Sequence, residues 1–253
     1  MSRFPDLPPL DCHAHIAPDV TAPQVRQLGE VIVFAVTRTL TEGTRAAARQ
    51  DKLLVWGWGA HPAVPEALDG FSADRAAHLI QKLPLVGEVG LDRRGPLDRQ
   101  QEVFAAVLSA AQGQPVLLSV HSTGRTGAVL DMIAAHPHPG LILHWFLGDR
   151  RELARAVDTG AYFSVNAAMP ADVLRRIPPD RMLPETDFPS GRRRGGGRLP
   201  GDTEPVERLV ADLSGTSPPE IRRRFWTNLR RLAVDTEVID RLPDPAADLL
   251  LTL

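Results

Sequence analysis

Cysteine occurs once in this chain, at Cys12, so no intrachain disulfide can form and nothing in the composition argues for an oxidising compartment. Long apolar runs are absent too; none approaches the roughly 18 residues that a membrane-spanning helix needs. The opening residues, MSRFPDLPPL, lack the apolar stretch of a signal peptide, so the expected location is the cytoplasm. Charge of neither sign is in excess. With 29 Lys and Arg against 31 Asp and Glu, the net charge of -2 excludes a global basic field for nucleic acid or an anionic membrane, while local patches stay open. Tyrosine is also scarce, one against eight histidines, and several of those histidines stand at the ends of apolar runs. No glycine-rich phosphate loop follows the first such run to support a doubly wound open sheet.

What is present is a regular alternation. Short apolar runs at 10–16, 31–36, 53–59, 85–90, 115–121, 141–144, 161–165 and 182–186 are separated by amphipathic or Ala/Arg/Glu-rich stretches. These predict helices near 41–50, 72–82, 98–112, 125–135, 149–159 and 170–177, with two more near 203–214 and 217–234 after the last run. Strand-then-helix repetition implies parallel pairing, because parallel neighbours need a crossover of about a dozen residues or more. Eight runs are the number that closes a barrel, and 253 residues are an ordinary length for one. The expectation is an α/β chain folded as one domain over 1–253, a (β/α)8 TIM-type barrel, irregular in its second crossover unit around 17–30. The low-complexity stretch GRRRGGGRLPG at 191–201 reads as a flexible basic loop.

In such a barrel the active site lies at the carboxyl ends of the strands, so polar residues there carry the functional signal. His13 and His15, in LDCHAHI, are two apart on a strand and leave the same face. In PLVGEVGLD, Glu88 shares a face with Val86 and Gly90 and points into the barrel, where an unpaired carboxylate is costly to bury. A metal ion removes that penalty. His121 ends PVLLSVH, His144 ends LILH and Asp187 follows MLPET. Any one of these, alone, is more often a hydrogen-bonded structural residue than a ligand. His136 and His138 serve as a control: they also form an HxH pair, but on the opposite face of the barrel, and read as surface turn residues. His78, mid-helix, reads as structural or solvated. The set His13, His15, Glu88, His121, His144 and Asp187 differs by converging on one rim. Four imidazoles and two carboxylates suit Zn²⁺ or Mn²⁺, and Mg²⁺ where substrate phosphates join the shell. Two such ions about 4 Å apart need a carboxylate bridge, which Glu88 can supply, and they acidify a shared water while polarising the electrophile.

From DCHAHI through GAHP, GEVGLD, PVLLSVHSTGR, LHWFLGD and GAYFSV to LPETDFP, these motifs in this order resemble the TatD family of metal-dependent nucleases, within the amidohydrolase superfamily. The late TEP at 203–205 and TNLRRL at 227–232 resemble its closing segments. The resemblance implies that His13, His15 and Asp187 hold one ion, that His121 and His144 hold a second, and that Glu88 bridges them. It also implies that Asp187 orients or deprotonates the attacking water, making Glu88 and Asp187 the catalytic carboxylates. His61 matches a family histidine near the substrate phosphate, with support of the metal shell as the alternative. Asp92 matches the GLD aspartate, substrate-facing or behind a ligand. Asp11 is expected to hydrogen-bond within the site or the strand end.

Departures from the family pattern fall on loops expected to face substrate. Thr123 stands where the family has an arginine, with Arg125 two residues further on; Arg93 and Arg94 follow GLD where an aromatic is usual; Leu147 replaces a serine. The expected substrate-binding residues are therefore His61, Asp92, Arg93, Arg125 and Arg192. Arg192, Arg193, Arg194 and Arg198, beside Arg93 and Arg94, could clamp phosphates, the alternative being a solvated basic loop. Trp56, Trp58 and Trp145 near the rim could stack on bases, with core packing the alternative for the first two. The expected activity is cleavage of DNA phosphodiesters by metal-activated water, trimming single-stranded or frayed ends, by a monomer with no membrane partner. Two other readings stay open: a hydrolase of carboxylic ester, amide or aminoacyl-tRNA bonds using the same ions, and a catalytically silent subunit that presents its Arg loop to a partner or nucleic acid.

Overall fold

The computed structural model describes residues 7–253, the side chains of Arg193 and Arg194 excepted. Its eight strands are β1 (Leu10–His15), β2 (Ile32–Val36), β3 (Leu54–Trp58), β4 (Leu85–Gly90), β5 (Leu117–His121), β6 (Leu141–His144), β7 (Tyr162–Val165) and β8 (Met182–Pro184). They lie side by side in chain order, each pairing in parallel with the next. Two backbone bonds join β1 to the segment after β8: Asp187 N donates to His13 O at 3.0 Å and His15 N to Phe188 O at 2.9 Å. The result is the nearly closed (β/α)8 barrel that the alternation predicts. All residues of β2 through β8 are buried, because one face meets the barrel interior and the other the helix layer.

The helices are α1 (Ala22–Gln27), α2 (Leu40–Ala46), α3 (Pro65–Asp69), α4 (Ala73–Lys82), α5 (Leu97–Ala111), α6 (Thr126–Ala135), α7 (Arg150–Asp158), α8 (Ala171–Leu174), α9 (Glu204–Ser214), α10 (Pro218–Asp235) and α11 (Asp244–Thr252). Segment 17–30 is the first crossover in chain order, not the second, and its six-residue α1 buries none of its side chains. Helix α8 is shorter than the predicted 170–177, ending ahead of the Pro178–Pro179 pair. Helices α3 and α11 have no counterpart among the predicted elements; α3, at five residues, is too short to show a 3.6-residue period. Helix α10 covers the β1/β8 seam from outside. Trp226 Nε1 donates to Pro8 O at 2.8 Å, and Asn228 Nδ2 donates to Pro179 O and Met182 O. Among the described residues no helix is long and apolar enough to cross a membrane.

Two expectations are corrected here. His138 is not a surface turn residue. It is buried, its Nδ1 accepting from Gly140 N at 3.0 Å and its Nε2 lying 3.2 Å from Gln114 O, so it staples the turn before β6 to the turn before β5. Trp56 and Trp58 are not at the rim. Trp56 Nε1 donates to Asp51 Oδ2 with Arg49 stacked on its ring, beside Leu83 and Pro84 at the amino end of β4. Trp58 is fully buried against α2, where a Cβ added to Gly43 would lie 2.5 Å from the Trp58 Cβ.

Candidate metal centre and active-site cavity

Glu88 is the pivot of the carboxyl rim. Its backbone is clamped between the ends of β2 and β3: Glu88 N donates to Thr37 O at 3.1 Å, and Ala60 N donates to Glu88 O at 3.0 Å. The approach is close enough to require glycine at Gly59, where a Cβ would meet Thr37 O at 2.2 Å and Glu88 N at 2.5 Å. The buried carboxylate then faces five imidazoles. Oε1 lies 2.5 Å from His121 Nδ1 and 3.0 Å from His144 Nε2; Oε2 lies 3.0 Å from His15 Nε2, 3.2 Å from His61 Nε2 and 3.7 Å from His13 Nε2. Asp187 completes the ring, its Oδ1 3.8 Å from both His13 Nε2 and His15 Nε2. Asp187 and Trp145 hold φ of 43° and 42°, left-handed conformations that non-glycine residues adopt at a cost of about 1–3 kcal/mol and that concentrate at functional sites.

Behind this ring stands a second one that fixes the imidazoles. Ser119 Oγ is 2.7 Å from His13 Nδ1, and Asp92 Oδ2 accepts from His121 Nε2 at 2.7 Å. Glu185 Oε2 lies 3.6 Å from His144 Nδ1 and accepts from the Ser164 hydroxyl, while Glu185 Oε1 accepts from Asn166 Nδ2 at 2.9 Å. His13 and His121 thus turn one nitrogen inward and hand the other to an oxygen, the arrangement that orients metal-binding histidines, while His61 Nδ1 accepts from Ala63 N at 3.0 Å.

The charges are tightly coupled. Burial alone would raise the Glu88 carboxyl, but His61, His144 and His121 hold it well below its usual range. Burial pushes Asp187 up to about 8, with Glu185 and Glu88 adding to the rise and His144 opposing it. Burial lowers His61 to about 4 and drives His13 well below the usual value; Glu88 opposes both shifts, and His144 adds to each. His144 goes well upward, since Glu88 and Glu185 outweigh its burial. A buried carboxyl raised by neighbouring acids is relieved by a cation. His13 Nε2 is buried with no hydrogen-bond partner, a gap that a cation also fills. Three sets could hold one, each with ligand atoms within 4.8 Å of one another: His13, His15 and Glu88; His13, His144 and Asp187; Glu88, His121 and His144. The residues present fit the group.

All six residues expected to bind metal meet here, and His61 joins them. All of them but the fully buried His13 border a cavity of about 730 Å³ that also takes in Arg93, Arg94, Thr123, Trp145 and Leu147. The expected substrate residues are more scattered. Arg93 lines this cavity, whereas Asp92 sits behind His121 and ties back Arg94 by bonds of 2.8 and 2.9 Å. Arg125 lines a neighbouring cavity instead. Arg192 is exposed in the 3-10 turn Gly191–Arg194 and lines neither, and Arg198 pairs with Asp202 at 3.4 Å. The side chains of Arg193 and Arg194 lie outside the described residues, and so does that part of the expected four-arginine clamp. Asp11 accepts from His13 N, Thr186 N, Thr186 Oγ1 and Gly201 N at 2.6 to 3.2 Å, and burial pushes its carboxyl up to about 6. Glu185 and Ser119 escaped the sequence reading. Their signal was present: each is a polar residue two before a site residue, at the end of or inside an apolar run.

A family model described as TatD related DNase matches residues 10–233. The uncharacterized metal-dependent hydrolase YabD of Bacillus subtilis is 26% identical over 254 residues, covering 88% of this chain and 97% of that protein. The 3'-5' ssDNA/RNA exonuclease TatD of Edwardsiella piscicida is 32% identical over 190 residues, covering 68% of this chain and 73% of that protein. Among solved structures, YjjV, a TatD homologue of Escherichia coli K12, superposes with a TM-score of 0.75 at 21% identity over 88% of this chain and 97% of its own, a likeness of fold.

Proposed function

The chain belongs to the TatD-related DNase family and is a metal-dependent hydrolase; from that premise we propose that it cleaves DNA phosphodiesters, trimming single-stranded or frayed ends. The observation that carries this reading is the Glu88 carboxylate ringed by five imidazoles with Asp187 completing the circle. His13, His15, Glu88 and Asp187 would hold one divalent ion, and Glu88, His121 and His144 a second, with zinc, manganese or magnesium as the candidates. When bound, the ions supply the Lewis acidity that activates a water and offsets charge on the phosphoryl group. Asp187 takes the proton of the attacking water, a role suited to a carboxylate at the cavity wall beside the ion position. His61 and Arg93 meet the non-bridging oxygens, the second through a guanidinium exposed on the cavity. Asp92, Glu185 and Ser119 keep His121, His144 and His13 in register. Relatives named as an exonuclease and a deoxyribonuclease support nucleic acid as the substrate class.

The test is release of nucleotides from end-labelled single-stranded DNA in Mn²⁺ or Mg²⁺, alongside nitrophenyl carboxylic esters. DNA cleavage that stops with chelator and in His13→Ala is expected. Hydrolysis of the carboxylic esters with no cleavage of DNA would move the protein to the ester and amide hydrolases of the same fold.

A further inference from the structure

Beside the catalytic cavity lies a second one of about 540 Å³, between the β5–α6 loop and the loop after β6. The two share Thr123, Trp145 and Leu147, so a chain occupying the first can continue into the second. Arg125 lines only the second. Its Nε is buried with no hydrogen-bond partner, and among the described residues no carboxylate forms an ion pair with it. An unpartnered guanidinium N–H away from water is costly, and an anion resolves it.

The backbone points the same way. Helix α6, ten residues long, begins at this cavity with no side-chain cap and no acid in its first turn, leaving its positive end open. Gly127 adds no bulk there: a Cβ built on it meets only Glu152 Oε1, at 3.9 Å. Glu152 is the one acid on the wall, and its Oε2 is taken by Asp149 N at 2.9 Å in the α7 cap. Two of the three shared residues are apolar, Leu147, 51% exposed, and Trp145.

We propose that this second cavity is the subsite for the phosphate next to the scissile one, gripped by the Arg125 guanidinium and the first-turn amides of α6, with the intervening nucleotide against Trp145 and Leu147. The assignment rests on the phosphodiesterase reading of the catalytic cavity. It makes a strand of several phosphates a better substrate than any ester with one.

The experiment compares a fluorescent single-stranded tetranucleotide with bis(p-nitrophenyl) phosphate, which has only one phosphate, in wild type, Arg125→Ala and Arg125→Lys. Arg125→Ala should lose at least tenfold in kcat/KM on the tetranucleotide and stay within twofold on the small ester, which also reports that the variant is folded. Arg125→Lys should recover part of the loss. Tetranucleotide binding measured in chelator should show a salt slope shallower in Arg125→Ala by about 0.7, one phosphate contact on a single strand. Equal effects on both substrates, or none on either, overturn the subsite. A wild type that hydrolyses the small ester but not the tetranucleotide overturns the nuclease reading and the subsite together, whereas tetranucleotide cleavage indifferent to Arg125 removes the subsite alone.

Discussion

At Asp187 a charge requirement and a backbone requirement coincide, and one substitution separates them. The residue sits at φ 43°, where asparagine is tolerated nearly as well as aspartate, so Asp187→Asn keeps the shape and removes the charge. If the carboxylate serves as base, kcat on DNA falls by roughly 10²–10⁴. Stability moves the other way in chelator. The folded carboxyl, at about 8, holds a proton that the unfolded chain, at 3.8, has released, so between those values rising pH destabilises the ion-free protein. Asp187→Asn should remove that loss and melt higher than wild type above neutral pH in chelator, yet gain less from added Mn²⁺; thermal melts across pH check both signs. Asp11 makes the contrasting case. Its two oxygens accept from four donors, so Asp11→Asn turns an amide N–H₂ toward donors and leaves part of the network unsatisfied, a cost of about 1–3 kcal/mol. Because those donors include the backbone of His13 and of Thr186, next to Asp187, metal affinity should weaken by roughly 10–100-fold. Titration calorimetry with Mn²⁺ measures it; unchanged affinity would confine Asp11 to closing the barrel.

Among the elements, the turn ahead of β6 carries a pH dependence of its own. His138 accepts from Gly140 N and points its other nitrogen at Gln114 O, a pairing that only the neutral ring makes, and burial lowers its proton affinity. A lowered folded value means stability present above the unfolded 6.5 and lost as pH falls below it. His138→Gln, which keeps an acceptor and a donor, should flatten the acid side of the stability curve by a fraction of the about 1.4 kcal/mol per pH unit that one proton allows. Urea unfolding of both proteins in chelator from about pH 7.5 to about 5 decides it, and parallel curves would assign the acid sensitivity elsewhere. The same histidine shows where sequence reading loses its grip. Strand existence and order were legible because β-branched runs such as IVFAV stand out against helical stretches. Polar residues at their carboxyl ends were legible because they break those runs. Burial at the opposite end was not, since a proline-flanked HPHPG looks like any solvated turn until Gln114 is brought against it. Nor was the direction of Trp56 and Trp58: alternation says that they share a face, but in a parallel barrel both faces are apolar, so the pattern does not say which.

For the molecule as a whole, the residues around Glu88 come from β1, β4, β5, β6 and the segment after β8, so a cation held there ties together strands from residue 13 to residue 187. It also bridges the β1/β8 seam, which the strand ladder leaves to the two backbone bonds of His13 and His15 and to the Asp11 network. The unfolded chain scatters the same ligands and binds an ion weakly, so occupancy favours the folded state by RT ln(1 + [L]/Kd), about 2.7 kcal/mol at a hundredfold excess over Kd. A chain of this length gains roughly 2–4 °C in Tm per kcal/mol, which sets the expected rise at about 5–10 °C between chelator and saturating Mn²⁺ or Zn²⁺. The buried arrangement favours a rise at the upper end, because the ion also relieves the raised Asp187 carboxyl and satisfies His13 Nε2. Glu88→Gln removes the charge that both proposed ion positions share, so its melting temperature should respond far less to metal or chelator than that of wild type, while remaining a single cooperative transition. Calorimetric melts of the two proteins, with bound metal counted by elemental analysis, distinguish the outcomes. A wild-type Tm indifferent to every divalent ion tried, with no ion retained, would make the six residues a buried hydrogen-bonded network and leave Glu88 with no metal to bridge.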